Sequence, residues 1–153
     1  MSTAENKIMA NETANDLDIG KRTIEVEAEG LKALAQTLDG AFSEAIDVIH
    51  KMKGERRGRL IVAGIGKSGH IAKKIVATLA STGTPSHFVH PGEASHGDLG
   101  MVTEHDVVLM ISNSGENPEL SDLIQYTRRF GIPLIGMTSK QDSALAKHSD
   151  ILL

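Results

Sequence analysis

The apolar positions of the chain change rhythm partway along it. Between residues 21 and 39, Ile24, Val26, Ala28, Leu31, Leu34, Ala35 and Leu38 fall largely on the spacing of an amphipathic helix, and Gly40 is placed to end it. Residues 41–52 repeat that pattern through Phe42, Ala45, Ile46, Val48 and Ile49. Before them, residues 1–20 are polar, rich in Asn, Thr, Asp and Glu, and without sustained periodicity. Such a segment predicts a flexible leader, because it has too little apolar surface to offset the entropy of ordering itself.

Beyond Gly58 the rhythm becomes strand, loop, helix. The pattern predicts strands over 60–63, 86–89, 107–111, 133–138 and 150–153, with helices over 71–81, 118–130 and 143–147. Parallel neighbours need crossovers, so this alternation implies βαβ units, an α/β class and a three-layer sandwich around a five-stranded parallel sheet. A flavodoxin-like order 2-1-3-4-5 puts the loops after the first and third strands on either side of the topological switch point, where ligands bind. Only the connection from Val89 to Val107 lacks a predicted helix, and it is the longest and the richest in His. Long loops in compact domains are often functional.

At 153 residues and 40% hydrophobic, the chain has room for one core and one folded domain, 21–153. Aromatics are scarce (one Tyr, three Phe, no Trp), which makes that core aliphatic, as buried parallel strands require. A formal charge of −4 leaves no electrostatic footprint for nucleic acid, and Arg56-Arg57 and Arg128-Arg129 are too small to form a basic stripe. The absence of Cys excludes disulfides and thiolate metal sites. Neither a signal-peptide pattern nor a run of ~20 apolar residues is present, so no membrane partner is expected and the cytoplasm is the expected compartment.

Two loops carry phosphate-binding chemistry. Gly64-Ile65-Gly66-Lys67-Ser68-Gly69-His70 follows the apolar run Leu60-Ile61-Val62-Ala63 and precedes a helix, and Ser112-Asn113-Ser114-Gly115-Glu116 follows Val107-Val108-Leu109-Met110-Ile111. Helix N-termini after such turns aim N–H groups at an anion. Glycines alone are also explained by tight turns, and the serine loop by a turn with a helix cap. Lys67 tips the balance, because a lysine at a helix start opposes the macrodipole unless an anion is held there.

Gly64-x-Gly66-x-x-Gly69 matches the dinucleotide fingerprint, but that motif expects a carboxylate about 20 residues on, at the end of the second strand. Here the strand ends in Phe88-Val89-His90-Pro91, which disfavours a nucleotide-dependent oxidoreductase. A P-loop is excluded because Gly66-Lys67-Ser68 requires glycine at position 61, where Ile61 stands. The stretch His90-Pro91-Gly92-Glu93-Ala94-Ser95-His96-Gly97-Asp98 collects imidazoles and carboxylates, and histidine moves protons near neutrality. His90, His96 and Glu93 match no standard zinc spacing. Glu119, after Pro118, is an acid at the start of a helix, and Leu120, Leu123, Ile124 and Phe130 are assigned to that helix's core face.

Taken together, Gly66-Lys67-Ser68-Gly69-His70, Ser81-Thr82-Gly83-Thr84-Pro85, the run from Val89 to Val102 and Ile111-Ser112-Asn113-Ser114-Gly115-Glu116 resemble the SIS (sugar isomerase) domain of the arabinose 5-phosphate isomerases. The resemblance extends from about Thr23 to Leu153, and the histidine loop is specific to that branch. It implies interconversion of D-ribulose 5-phosphate and D-arabinose 5-phosphate, feeding synthesis of Kdo for lipopolysaccharide or capsule, with no redox cofactor and with a homodimeric or homotetrameric assembly. It places Lys67, His96 and Glu119 at catalytic positions. It assigns His90 to substrate contact and an inhibitory zinc, and Gly83 and Thr84 to the sugar site. Gly66, Ser68, Ser112, Asn113, Ser114 and Gly115 match phosphate-holding or neighbouring substrate positions.

Such an isomerisation needs a base beside the carbonyl, an acid for oxygen and a cation for the enediolate. Glu119 or His96 serves as base and acid, with Lys67 steadying the charge. Two departures stand out. Asn117 occupies a position where the family commonly has Ser or Thr, making one phosphate donor an amide. Members also continue past the fifth strand with a helical segment carrying another active-site histidine, and usually with a pair of CBS modules. The chain is therefore expected to be a shortened SIS domain, and a non-catalytic sugar-phosphate-binding module is the alternative to an isomerase.

Overall fold

A computed structural model describes residues 3–153, and the side chains of 15–153 apart from Arg56. The chain divides into two units, residues 1–39 and 40–153. The first holds one helix, α1 (Thr3–Thr37), which runs through much of the segment read as a leader as well as the helix expected from Lys21. No proline interrupts it, and Glu29 and Lys32 pair one turn apart at 2.7 Å. Its two interior glycines, Gly20 and Gly30, each cost about 1 kcal/mol relative to Ala. Gly40 does not cap this helix as expected. It opens α2 (Gly40–Lys51).

In the second unit, a short π-helical turn (Met52–Arg56) leads from α2 to β1 (Leu60–Gly64). There follow α3 (Lys67–Ser81), β2 (Ser86–Val89), α4 (Pro91–Ala94) and a 3₁₀ turn (Asp98–Met101). The unit closes with β3 (Val107–Ile111), α5 (Leu120–Phe130), β4 (Leu134–Met137), α6 (Ala144–His148) and β5 (Ile151–Leu152). All pairings are parallel and the order is β2-β1-β3-β4-β5, the flavodoxin-like order expected above.

Successive strand residues point to opposite faces, so each central strand feeds two cores. Ile61, Ala63, Val108 and Met110 pack with Leu120, Leu123 and Ile124 of α5 and Leu145 of α6. Leu60, Val62, Val107 and Leu109 pack on the other side with Ala45 of α2 and Ala72 of α3. That makes the three layers. One expected core residue lies elsewhere: Phe130 is exposed and stacks on Tyr126 at 4.6 Å, while Thr127 takes the buried place on α5.

At the N-terminal ends of the central strands a buried carboxylate closes the sheet. Asp106 accepts from Arg59 N–H at 2.7 Å, Thr103 N–H at 2.9 Å, Thr103 Oγ1 at 3.2 Å and the Arg59 guanidinium at 3.2 Å. The guanidinium donates also to the Met101 carbonyl. A carboxylate this deep is tolerated because its lone pairs are met by donors.

Candidate active site

Register puts both phosphate-type loops at one end of the sheet, because Gly64 of β1 pairs with Ile111 of β3. Gly64 and Gly69 make the first turn close. A Cβ on Gly69 would stand 2.7 Å from the Gly64 carbonyl oxygen, and one on Gly64 would stand 2.9 Å from the Ser68 carbonyl carbon. Gly66, at φ 56°, turns the chain into α3. That helix therefore starts at Lys67, four residues before the start predicted at 71. Its first turn has no acidic residue and no side-chain cap. Lys67 is exposed and pairs with none of the described residues. Positive charge is thus concentrated there by the lysine and the helix terminus together.

The serine loop is bonded to itself. Ser112 Oγ accepts the Gly115 N–H at 3.1 Å, and Ser114 Oγ accepts the Glu116 N–H at 3.3 Å. Both hydroxyls donate to one atom, Asn117 Oδ1, at 3.3 and 3.0 Å. The loop after β4 braces it from outside. The Asn113 carbonyl accepts from Ser139 Oγ at 2.8 Å, Thr138 Oγ1 at 3.2 Å and Ser139 N–H at 3.3 Å. The Gly115 carbonyl accepts Leu145 N–H at 3.0 Å, and Glu116 Oε1 accepts Ala144 N–H at 2.9 Å, which ties the loop to the start of α6. Gly115 has φ 65°, and a Cβ there would collide with Ser143 Oγ.

The two loops face each other across a cavity of about 220 Å³, with Ile65 and Ser68 on one side and Ser112, Asn113, Ser114 and Asn117 on the other. Hydroxyls, an amide and two helix starts converge on it, the composition of an anion site.

Other predicted site residues lie outside its lining. Glu119 is exposed immediately before α5, which begins at Leu120 and not at 118, and its carboxylate makes no capping bond. The connection from Val89 to Val107, expected to lack a helix, contains α4 and the 3₁₀ turn. His90 builds that feature: its Nδ1 accepts the Gly92 N–H at 3.2 Å, with Pro91 in the first turn. This half-buried ring has no partner for its Nε2 among the described residues, and it stands at the end of a strand adjacent to β1. His96 is exposed in the turn after α4. Among the described residues no group of three His, Cys, Asp or Glu is placed to hold a metal ion.

Gly83 and Thr84 are not brought to the cavity at all. They lie before β2, where Pro85 O accepts the N–H of Leu60 at the start of β1, so they occupy the opposite end of the sheet. The supporting roles of Glu116, Thr138 and Ser139 escape the sequence reading. Their only signal is position, since Thr138 and Ser139 follow a strand that ends on the same edge as β3.

Comparison with known proteins bears on this site. Residues 55–153 match the SIS domain family. The chain is 52% identical over 134 residues to the arabinose 5-phosphate isomerase KdsD of Yersinia pestis, and 49% identical over 133 residues to that of Pseudomonas aeruginosa. These alignments cover 88% and 87% of the chain, which spans 40% of the length of each relative. Among solved structures, an Escherichia coli CFT073 protein in complex with arabinose 5-phosphate is similar, with a TM-score of 0.71 and 41% identity over 88% of this chain and 71% of that one.

Proposed function

The chain belongs to the SIS domain family, and on that premise we propose that it is a sugar-phosphate isomerase domain interconverting D-ribulose 5-phosphate and D-arabinose 5-phosphate. The observation that carries this reading is the cavity shared by Ser68 and the 112–117 loop, with Lys67 exposed at the adjoining helix start. The relatives named as arabinose 5-phosphate isomerases and the similar protein solved with arabinose 5-phosphate support a pentose phosphate as ligand.

In this proposal the Ser68, Ser112 and Ser114 hydroxyls hold the phosphoryl group, with the Gly115 N–H fixing Ser112 Oγ and with Gly66 and Asn113 shaping the turns around it. Lys67 steadies the negative charge that develops on the enediolate oxygen. Glu119 or His96 removes the proton beside the carbonyl, and the other serves the oxygen. The proton and the carbonyl change places within one substrate, so the overall reaction neither gains nor loses electrons and calls for no redox cofactor. His90 contacts the sugar through Nε2, the same nitrogen through which an inhibitory zinc would bind.

Gly83 and Thr84 enter the proposal only as residues of another copy, since they lie at the far end of this chain's sheet. A homodimer or homotetramer supplies them. Residues 21–153 are taken as the SIS domain, with 1–20 as a leader outside it. A cytoplasmic role in Kdo synthesis for lipopolysaccharide or capsule completes the reading. No described helix is long and apolar enough to cross a membrane.

The test is NMR of the purified protein with D-ribulose 5-phosphate in deuterated water, following arabinose 5-phosphate and deuterium at C2. Turnover lost in Lys67→Ala is the expected result. Saturable pentose phosphate binding without turnover or exchange favours the non-catalytic module, and no binding at all sinks both readings.

A further inference from the structure

Among the described residues Asn117 is the side chain that touches both serine hydroxyls, and its role is not given by the phosphate chemistry alone. Each hydroxyl has one proton, and both protons are given to Asn117 Oδ1. That fixes both hydroxyl rotors. Their lone pairs are left facing inward, where they receive the Gly115 and Glu116 N–H groups. The loop's backbone shape therefore depends on a side chain three to five residues further on. Asn117 also lines the cavity, and its Nδ2 donates to none of the described residues.

We propose that Asn117 is a positioning residue for the anion site. Its Oδ1 holds the Ser112 and Ser114 hydroxyls in one arrangement before a ligand arrives, and the hydroxyls then turn their donated bonds from Oδ1 to the incoming phosphoryl oxygens. A phosphate oxygen is the stronger acceptor, since charge-assisted bonds are about twice as strong as neutral ones. The exchange leaves no hydroxyl unpaired before or after binding. The inference rests on the proposed function in taking this loop as the phosphate site. It adds that residue 117 sets the loop's affinity by acting through the serines.

A double-mutant cycle tests this, because a residue acting through a second one loses its effect when that second residue is removed. The probe is inorganic phosphate, titrated against the Gly115 and Glu116 amide NMR signals of the full chain. Asn117→Ala is expected to weaken binding about tenfold, the loss of roughly one good hydrogen bond, and the paired Ser112→Ala, Ser114→Ala variant, which removes both hydroxyls, about hundredfold. Adding Asn117→Ala to the serine pair is expected to cause no further loss. A further loss of about tenfold in that background overturns the proposal, as does an Asn117→Ala variant that binds phosphate like the parent.

Should Asn117→Ala fail to fold, Asn117→Leu, similar in size but with no acceptor for the two hydroxyls, enters the same cycle with the same outcomes. The failures are separable. Phosphate binding with the expected cycle but without pentose phosphate turnover or binding overturns the isomerase reading and leaves the role of Asn117 standing. Turnover with an additive cycle does the reverse.

Discussion

The two ends of the sheet handle polar groups in opposite ways. At the N-terminal end, Asp106 is 1% exposed and is surrounded by donors from Arg59 and Thr103. At the C-terminal end, Lys67, His96 and Glu119 are exposed, while the hydroxyls of the serine loop are satisfied by the amide oxygen of Asn117 at the cavity wall. A charge neutralised inside the chain contributes to holding strands together. A charge left over is available to a ligand. Both ends use the same sheet, and the difference lies in whether the chain supplies its own counter-groups.

Three substitutions probe this contrast. The largest effect is expected for Lys67→Ala, which should lower kcat/KM for the pentose phosphate by about 10³-fold, the scale of losing a donor to a developing oxyanion. The melting midpoint should stay or rise slightly, because a cation is removed from a helix N-terminus. A collapse in stability would mean that Lys67 belongs with the structural charges.

Asp106→Ala should do the opposite. It strands two backbone N–H groups and the Arg59 guanidinium, at a cost of about 3 kcal/mol. That corresponds to a fall of about 10 °C in melting midpoint by calorimetry. Phosphate affinity of the folded fraction should be unchanged, and a variant as stable as the parent would remove the network from the account of the fold.

Gly115→Ala is predicted to cost less stability than Asp106→Ala, about 2 kcal/mol by denaturant titration, from the positive φ and the collision with Ser143. Unlike Asp106→Ala, it should also weaken phosphate binding, because the Gly115 N–H holds the Ser112 hydroxyl in place. Intact binding would show that the donors tolerate a shifted loop.

The βαβ rhythm was legible because buried strands and amphipathic helices leave different periods in the chain. Strands 86–89 and 107–111 coincide with their predicted bounds. Helix starts were less legible. α3 begins at Lys67 because Gly66 at positive φ turns the backbone into it, and no apolar periodicity marks that point. The helix at Pro91–Ala94 depends on a side-chain bond from His90, which a pattern of polar residues does not reveal. Ser68, Ser112, Asn113 and Ser114, singled out by the two loop patterns, line one cavity. Gly83 and Thr84 were assigned to the sugar site by resemblance, and strand direction puts them at the far end of this chain's sheet.

The elements and their class follow from the chain read residue by residue, since apolar spacing and glycine positions act locally, along a few residues of backbone. So does the presence of two loops with anion chemistry. Which residues meet was left to tertiary structure. Pairing of β1 with β3 sets Ser68 opposite Ser112, the bond network commits both serine protons to Asn117, and the direction of β2 sends Gly83 and Thr84 away. Those facts depend on contacts between residues far apart in the chain, and the register and side-chain geometry of such contacts are fixed only when the sheet closes.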